Sequence, residues 1–372
     1  MNRSLRFEDA YYDGDKYIYF FSYEINGLFR INIDDQRLEF LLSVKEYDAN
    51  ARRLFGGVVC VGNKLIFTPL TAYEIMIYDI NDNKYSLCHV RHSSIIEDST
   101  TKFCSIIVVG DVVYMFPAHY PAIIEFNVSK EKIVYHTDWI DGVSTMLRNK
   151  QDFFRRSLCI SGTTIIAPFC FEDKVLLFDI SNERMKIYKV GAGRSENEGF
   201  SGICHDGNDY WLSPMRSDSA LRWNFESGVV ESVVIGNRND NGLSSYTGCM
   251  QWGEKIIILP AWKNDLNVID PRDCKLTSID IYSFGGMKRN PGSLIGTSIM
   301  CAIIIKDNRL FICTKNGEHY ILLNDNGNID VKSLYINSTK WTEMWQHAIG
   351  NKKVSIRLEE DESSLEYFLL TI

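Results

Sequence analysis

The chain of 372 residues has ten cysteines but no Cys-x-x-Cys pair, which removes the usual zinc and thiol-redox frameworks from consideration. It has no long hydrophobic run either. The most apolar stretch, residues 105–126, contains Asp111, Pro117, His119 and Glu125, so it reads as two strands about a turn and not as a membrane span. The opening Met1-Asn2-Arg3-Ser4-Leu5-Arg6-Phe7 holds no apolar core of signal-peptide length. Basic residues are not in excess: the formal net charge is -8, which argues against general nucleic-acid binding, because such binders need a basic footprint. No linker, low-complexity tract or run of like charge marks a second domain, and one domain over residues 1–372 is expected. Reduced thiols and the missing leader together suggest a cytoplasmic location.

What the chain does have is a repeat about every 48 residues. A Gly-(Asp/Asn) turn is followed 17 residues later by Asp or Asn: Gly62 and Asp79, Gly110 and Asn127, Gly162 and Asp179, Gly207 and Asn224, Gly253 and Asp270, with Asp307 and Asn324 in the same register. Gly14 and Asn32 match one residue late. Each unit reads as four short strands. In the second, residues 55–61, 64–68, 75–80 and 84–90 are strand-like and are separated by Gly, Pro, Asn and Asp. The Asp or Asn closing the third strand suits a turn, since its short side chain bonds to nearby backbone. An all-β chain of four-stranded antiparallel blades, a β-propeller, follows from a period of this length.

Small residues mark the first strand of each unit as the innermost: Gly56, Gly57, Ser105, Ser157, Gly202, Gly248 and Ala302. Cys60, Cys104, Cys159, Cys204, Cys249 and Cys301 fall in the same strands, where a small apolar thiol packs well. A structural role is expected for them, and neither a metal nor a cofactor. The last unit is incomplete. Gly350-Asn351 restarts the pattern, Tyr367 stands where the acidic turn residue belongs, and the sequence stops five residues later. Eight blades are expected, the last using residues 346–349, 352–358 and 364–372 with its outermost strand missing, weak or borrowed from residues 2–6, and seven blades are the alternative.

With the second strand often ending in Pro and the third in an Asp-containing turn, the repeat resembles kelch-type propellers and the propeller of galactose-oxidase-like proteins. The Gly-Gly pair typical of kelch is present at Gly56-Gly57, and again in a loop at Gly285-Gly286. The Gly-His and Trp-Asp signature of WD40 blades is absent. The resemblance implies the fold; no copper-ligand or nucleophile motif carries over to a particular residue.

Function is expected on the end of the blades that carries long connections, those between strands two and three and between blades, because long loops on a rigid scaffold are where binding residues gather. Candidate ligand-binding residues there are Arg53, Lys102, Phe103, His119, Arg156, Arg194, Phe200, Arg216, Tyr246 and Trp262. Aromatic platforms beside cationic donors suit a glycan-like, anionic or peptide ligand, or a protein partner. A binding module is therefore expected, with a hydrolase or lyase using the same end as the alternative. His119 and His205 are the candidates for acid–base chemistry, and Glu172, Asp173, Glu196, Glu198 and Asp218 for a carboxylate pair. Cys88-His89 with His92 resembles a metal cluster, but His89 and His92 would point to opposite faces of a strand.

Overall fold

The computed structural model describes residues 2–91, 101–143, 151–190, 198–236, 245–261, 265–280, 299–314, 319–325, 327–337 and 354–357. The chain is all-β, a propeller of seven four-stranded antiparallel blades. The blades span residues 11–42, 55–89, 103–136, 159–189, 200–234, 246–280 and 299–333, and in each the strands run from inner to outer in chain order. The second blade shows how closely sequence pattern sets strand limits: Phe55–Val61, Lys64–Pro69, Glu74–Asp79 and Lys84–His89.

The described residues form seven blades, the alternative, and the expected eighth is not among them. Val354–Arg357 pairs antiparallel with Arg37–Leu42, the outer strand of the first blade, and becomes its fifth strand. Asn2–Ser4 pairs instead with Tyr335–Asn337 in a separate two-stranded sheet. The physical reason is the exposed edge: an outer strand offers a row of free N–H and C=O groups to any nearby extended segment. Residues 346–349 and 364–372, assigned above to an eighth blade, lie outside the described residues.

The tight turns explain the repeat. Gly14, Gly62, Gly110, Gly162, Gly207 and Gly253 all have positive φ, between 57° and 106°, and Asp307 takes the same conformation at 61°. Glycine is the residue that enters this region without a Cβ clash. Seventeen residues on, Asp79 Oδ1 accepts from the N–H groups of Asn81 and Asp82 at 2.9 and 3.0 Å. Asn127 Oδ1 likewise accepts from Lys130 N–H, and Asp179 Oδ1 from Ser181 N–H, each at 3.0 Å. These donors hold the Asp79 and Asp179 carboxyls below the ordinary carboxylate value, chiefly the Asp82 N–H and the Ser181 hydroxyl respectively.

Contacts divide the chain into two compact units. The first comprises residues 1–72, 76–86 and 283–372; the second comprises residues 73–75 and 87–282. In the first, an aromatic stripe crosses a blade from its second to its fourth strand: Phe20 lies 5.7 Å from Phe29, and Phe29 lies 5.3 Å from Phe40. Phe7 stacks on Phe20 at 4.1 Å. In the second, Trp139, Phe153, Phe154 and Phe169 form a buried group packed with residues of the second and third strands of two blades, among them Phe116, Ile123, Ile165 and Leu176. A Cβ on Gly202 would meet the Ser157 side chain at 2.6 Å and the Gly248 Cα at 3.0 Å, so small residues are required where these inner strands converge.

Candidate functional site

The site is built on the second unit, where backbone hydrogen bonds lace the long connections together. Ala118 N–H donates to Lys102 C=O at 2.7 Å, Phe153 to Ala118 at 2.8 Å, and Cys170 to Phe153 at 3.0 Å. Phe200 then donates to Phe169 at 2.8 Å, Met215 to Gly199 at 2.9 Å, Ser245 to Met215 at 2.7 Å and Ala261 to Ser245 at 2.9 Å. Each residue following a second strand is thereby tied to a residue preceding an inner strand. Gly199 is necessary to this lacing: a Cβ there would lie 2.3 Å from the Cys170 carbonyl carbon and oxygen.

Three groups of side chains project from the laced backbone. Lys102 is 2% exposed, and its ammonium sits 4.5 Å from the centre of the Tyr73 ring, which is itself 47% exposed. Next, His119 Nε2 lies 3.0 Å from Asp152 Oδ1, and Arg155 Nη2 lies 3.4 Å from Asp152 Oδ2. Burial alone would raise the Asp152 carboxyl, but the His119 hydrogen bond and the Arg155 charge outweigh it and hold the group below its ordinary value. The third group is Arg216 over the Phe171 ring, with its guanidinium carbon 5.2 Å from the ring centre.

Arg216 differs from the other cations of this unit. Its Nε is buried and has no hydrogen-bond partner, and among the described residues no carboxylate pairs with its guanidinium. Its backbone is held firmly, since Met215 both donates and accepts in the lacing and Ser245 Oγ contacts the Arg216 carbonyl at 3.5 Å. A half-buried guanidinium with an unused donor is a good receptor for a carboxylate, phosphate or sulfate oxygen.

Sequence reasoning placed several of these residues near one another but misjudged their exposure. Phe103, Phe200 and Tyr246 are fully buried; they cap the core below the loops and do not form open platforms. Tyr246 donates to Ile235 C=O at 3.3 Å, and burial raises its phenol to about 12. Arg156 is half-buried beside Arg155. Arg194 and Trp262 lie outside the described residues. Arg53 belongs to the first unit, where it lies 5.1 Å from the Tyr23 ring beside Arg6 at 4.6 Å. Arg6 also pairs with Glu24 there. Thus the cationic and aromatic residues of the long-loop end frequently satisfy one another. Asp152 was missed, because nothing in its sequence context connects it with His119, which lies in a different connection.

Other chemical candidates make local contacts: Asp218 accepts from the Ser219 hydroxyl at 2.9 Å, while Glu196 lies outside the described residues. His205 Nδ1 accepts from Gly207 N–H at 3.1 Å in a tight turn, away from the long connections. Glu172 pairs with Lys174 at 2.5 Å and Asp173 with Lys189 at 3.2 Å. His89 meets Glu74 at 3.0 Å, while His92 lies outside the described residues. Among the described residues no group of three or more His, Cys, Asp or Glu is placed to hold a metal ion. All ten cysteines are free, and burial raises the thiols of Cys159, Cys170 and Cys204.

No family model matches the chain, and no curated protein matches it. Solved structures do. The extracellular domain of a putative one-component system from B. thetaiotaomicron is similar with a TM-score of 0.59 and 13% identity, over 89% of this chain and 38% of that one. The chain therefore spans well under half the length of that relative. A virginiamycin B lyase from Staphylococcus aureus is similar with a TM-score of 0.56 and 13% identity, over 77% of this chain and 86% of that one. A chain of the mitotic checkpoint complex is similar with a TM-score of 0.54 and 12% identity, over 89% and 87%. Likeness at these identities establishes one thing for this chain: the propeller fold.

Proposed function

We propose that the chain is a binding module of kelch-like propeller type whose long-loop end, in its second unit, receives an acidic group of a peptide, glycan or protein partner. The observation that carries this reading is Arg216: a half-buried guanidinium stacked on Phe171, with a buried Nε that has no partner. A charged hydrogen bond from the accessible part of this guanidinium to an incoming anion is worth about 1.5–3 kcal/mol. The backbone lacing supports the same reading, because a receptor held rigid before binding loses little entropy on binding. The ten free thiols favour the cytoplasm as the place where it acts.

The test is calorimetric titration with poly-glutamate and with an acidic polysaccharide at low salt. Arg216→Ala is expected to weaken binding by about 1–3 kcal/mol, whereas Lys132→Ala, in an outer strand beside a tight turn, leaves it unchanged. Equal losses from both variants, or no binding of either anion, would defeat the reading.

A second reading rests on His119 and Asp152. A histidine oriented by a carboxylate that stays ionised is equipped to accept a proton, as a lyase or hydrolase would require. The lyase neighbours include a variant named as catalytically inactive through a histidine substitution. Turnover of quinupristin, the compound bound by that neighbour, that disappears in His119→Ala and persists in Arg216→Ala would favour this second reading over the first.

A further inference from the structure

The outer strand of the fifth blade, Val230–Val234, is unlike the other outer strands. Those of blades one to four and six begin with Arg37, Lys84, Lys132, Arg184 and Lys275, and that of the seventh contains Lys332. A cation on an edge strand discourages pairing with another chain, because the long charged side chain must be desolvated for a new strand to approach. The fifth blade has no such guard. From Gly228 to Gly236 the sequence is Gly-Val-Val-Glu-Ser-Val-Val-Ile-Gly, with Glu231 its one charge. Val229 and Val234 are 54% and 66% exposed, and among the described residues no strand pairs with this edge.

The direction of its free hydrogen-bonding groups follows from the ladder. Ile235 N–H donates inward to Asp218 C=O at 2.8 Å, and residues 219–223 pair with 230–234 in continuous register. By the alternation of an antiparallel ladder, Glu231 and Val233 also point their backbone groups inward, while Val230, Ser232 and Val234 point theirs outward. The first blade's outer edge accepts a further strand, Val354–Arg357, even though it begins with Arg37, so the fifth blade's edge, with no cation, presents a lower barrier to pairing still.

We propose that this edge pairs with the same edge of a second copy of the chain, forming a two-fold dimer centred on Ser232. The segment is self-complementary in that register. Val230 faces Val234 of the other copy, Ser232 faces its own mate, and Glu231 faces Val233, so the two carboxylates are not placed opposite each other. The outward groups of Val230, Ser232 and Val234 then exchange about six backbone hydrogen bonds across the axis. A one-residue slip would bring Val230 and Val234 opposite inward-pointing backbone groups and lose the ladder, which fixes the register.

Sedimentation equilibrium of the full chain is expected to give twice the mass of one chain at tens of micromolar. Ser232→Pro removes the central outward N–H while leaving the inward ladder intact, and proline is tolerated on an edge where its N–H would face solvent. It should weaken the dimer about thirtyfold or more, since two central hydrogen bonds are lost, with the thermal midpoint of the monomer unchanged. Val234→Lys supplies the missing guard and should act in the same direction if Ser232→Pro impairs folding. Arg216→Ala should leave the dimer intact, which separates this proposal from the ligand reading above. A monomer at all these concentrations, or a dimer that survives both edge variants, would overturn it; binding of some other extended segment at this edge by the monomer would count against it equally.

Discussion

The two ends of the blades are built on opposite principles. At the tight-turn end, one solution recurs: a residue of positive φ opens the turn, an Asp or Asn closes the third strand, and its side chain bonds to the next amides, as Asp79, Asn127 and Asp179 do. Each turn stabilises itself. At the long-loop end of the second unit no two connections share a sequence, yet their backbones are tied by one continuous series of hydrogen bonds from Lys102 to Ala261. Stability there depends on neighbours far apart in the chain. Locally determined turns repeat and are tolerant, whereas a cooperative surface is individual and sensitive, and it has room for unpaired groups such as the Arg216 guanidinium.

This contrast can be broken most severely at glycine. Gly199→Ala drives a Cβ into the Cys170 backbone at 2.3 Å, with no flexible side chain to yield, and should cost roughly 3 kcal/mol by urea unfolding, the upper end of overpacking effects. Gly62→Ala, in a tight turn at φ 62° with nothing within 4 Å of the new Cβ, should cost about 1 kcal/mol, the penalty for forcing a Cβ into the left-handed region. If the two variants were equally stable, the lacing would have no special role.

A smaller effect is expected from Asn127→Ala. It deletes the acceptor for Lys130 N–H and the Ser129 hydroxyl in a single exposed turn, so about 0.5–1 kcal/mol should be lost, with no change in any ligand titration. A loss of ligand affinity would show that the two ends are coupled. The smallest effect is one of pH. Because the folded-state Asp152 carboxyl lies below its ordinary value, its stabilising contribution is present above the unfolded value near about 3.9 and is lost as pH falls through the lower folded value. The stability difference between the protein and Asp152→Asn should therefore shrink as pH falls below about 4. A difference that grows on acidification would contradict the pairing with His119 and Arg155.

Legibility in the sequence followed the same division. The turn interval exposed the blades because glycine and Asp or Asn were needed at fixed places for local reasons. A second conformational repeat was not legible: Gln36, Asn83, Glu131, Glu183, Gly228, Cys274 and Gly327 all take positive φ, between 48° and 85°, just before the fourth strand. Unlike residues occupy that position, since the hairpin imposes the conformation on whatever side chain is there, at modest cost. His119 was legible as a candidate and its partner Asp152 was not, because 33 residues separate them and only folding joins them. The aromatics before the inner strands were legible as a group; that Phe103, Phe200 and Tyr246 sit below the surface depended on how the loops cover them.

The sequence by itself determined the repeat, the strands and the tight turns, since those are set by side-chain period and by backbone preferences acting over a few residues. Tertiary structure decided the number of blades, by sending residues 354–357 to the outer edge of the first blade. It also decided which cations found partners, leaving Arg216 without one among the described residues. Pairing between distant strands and charges depends on what the completed fold places within a few ångströms, and no local pattern encodes that distance.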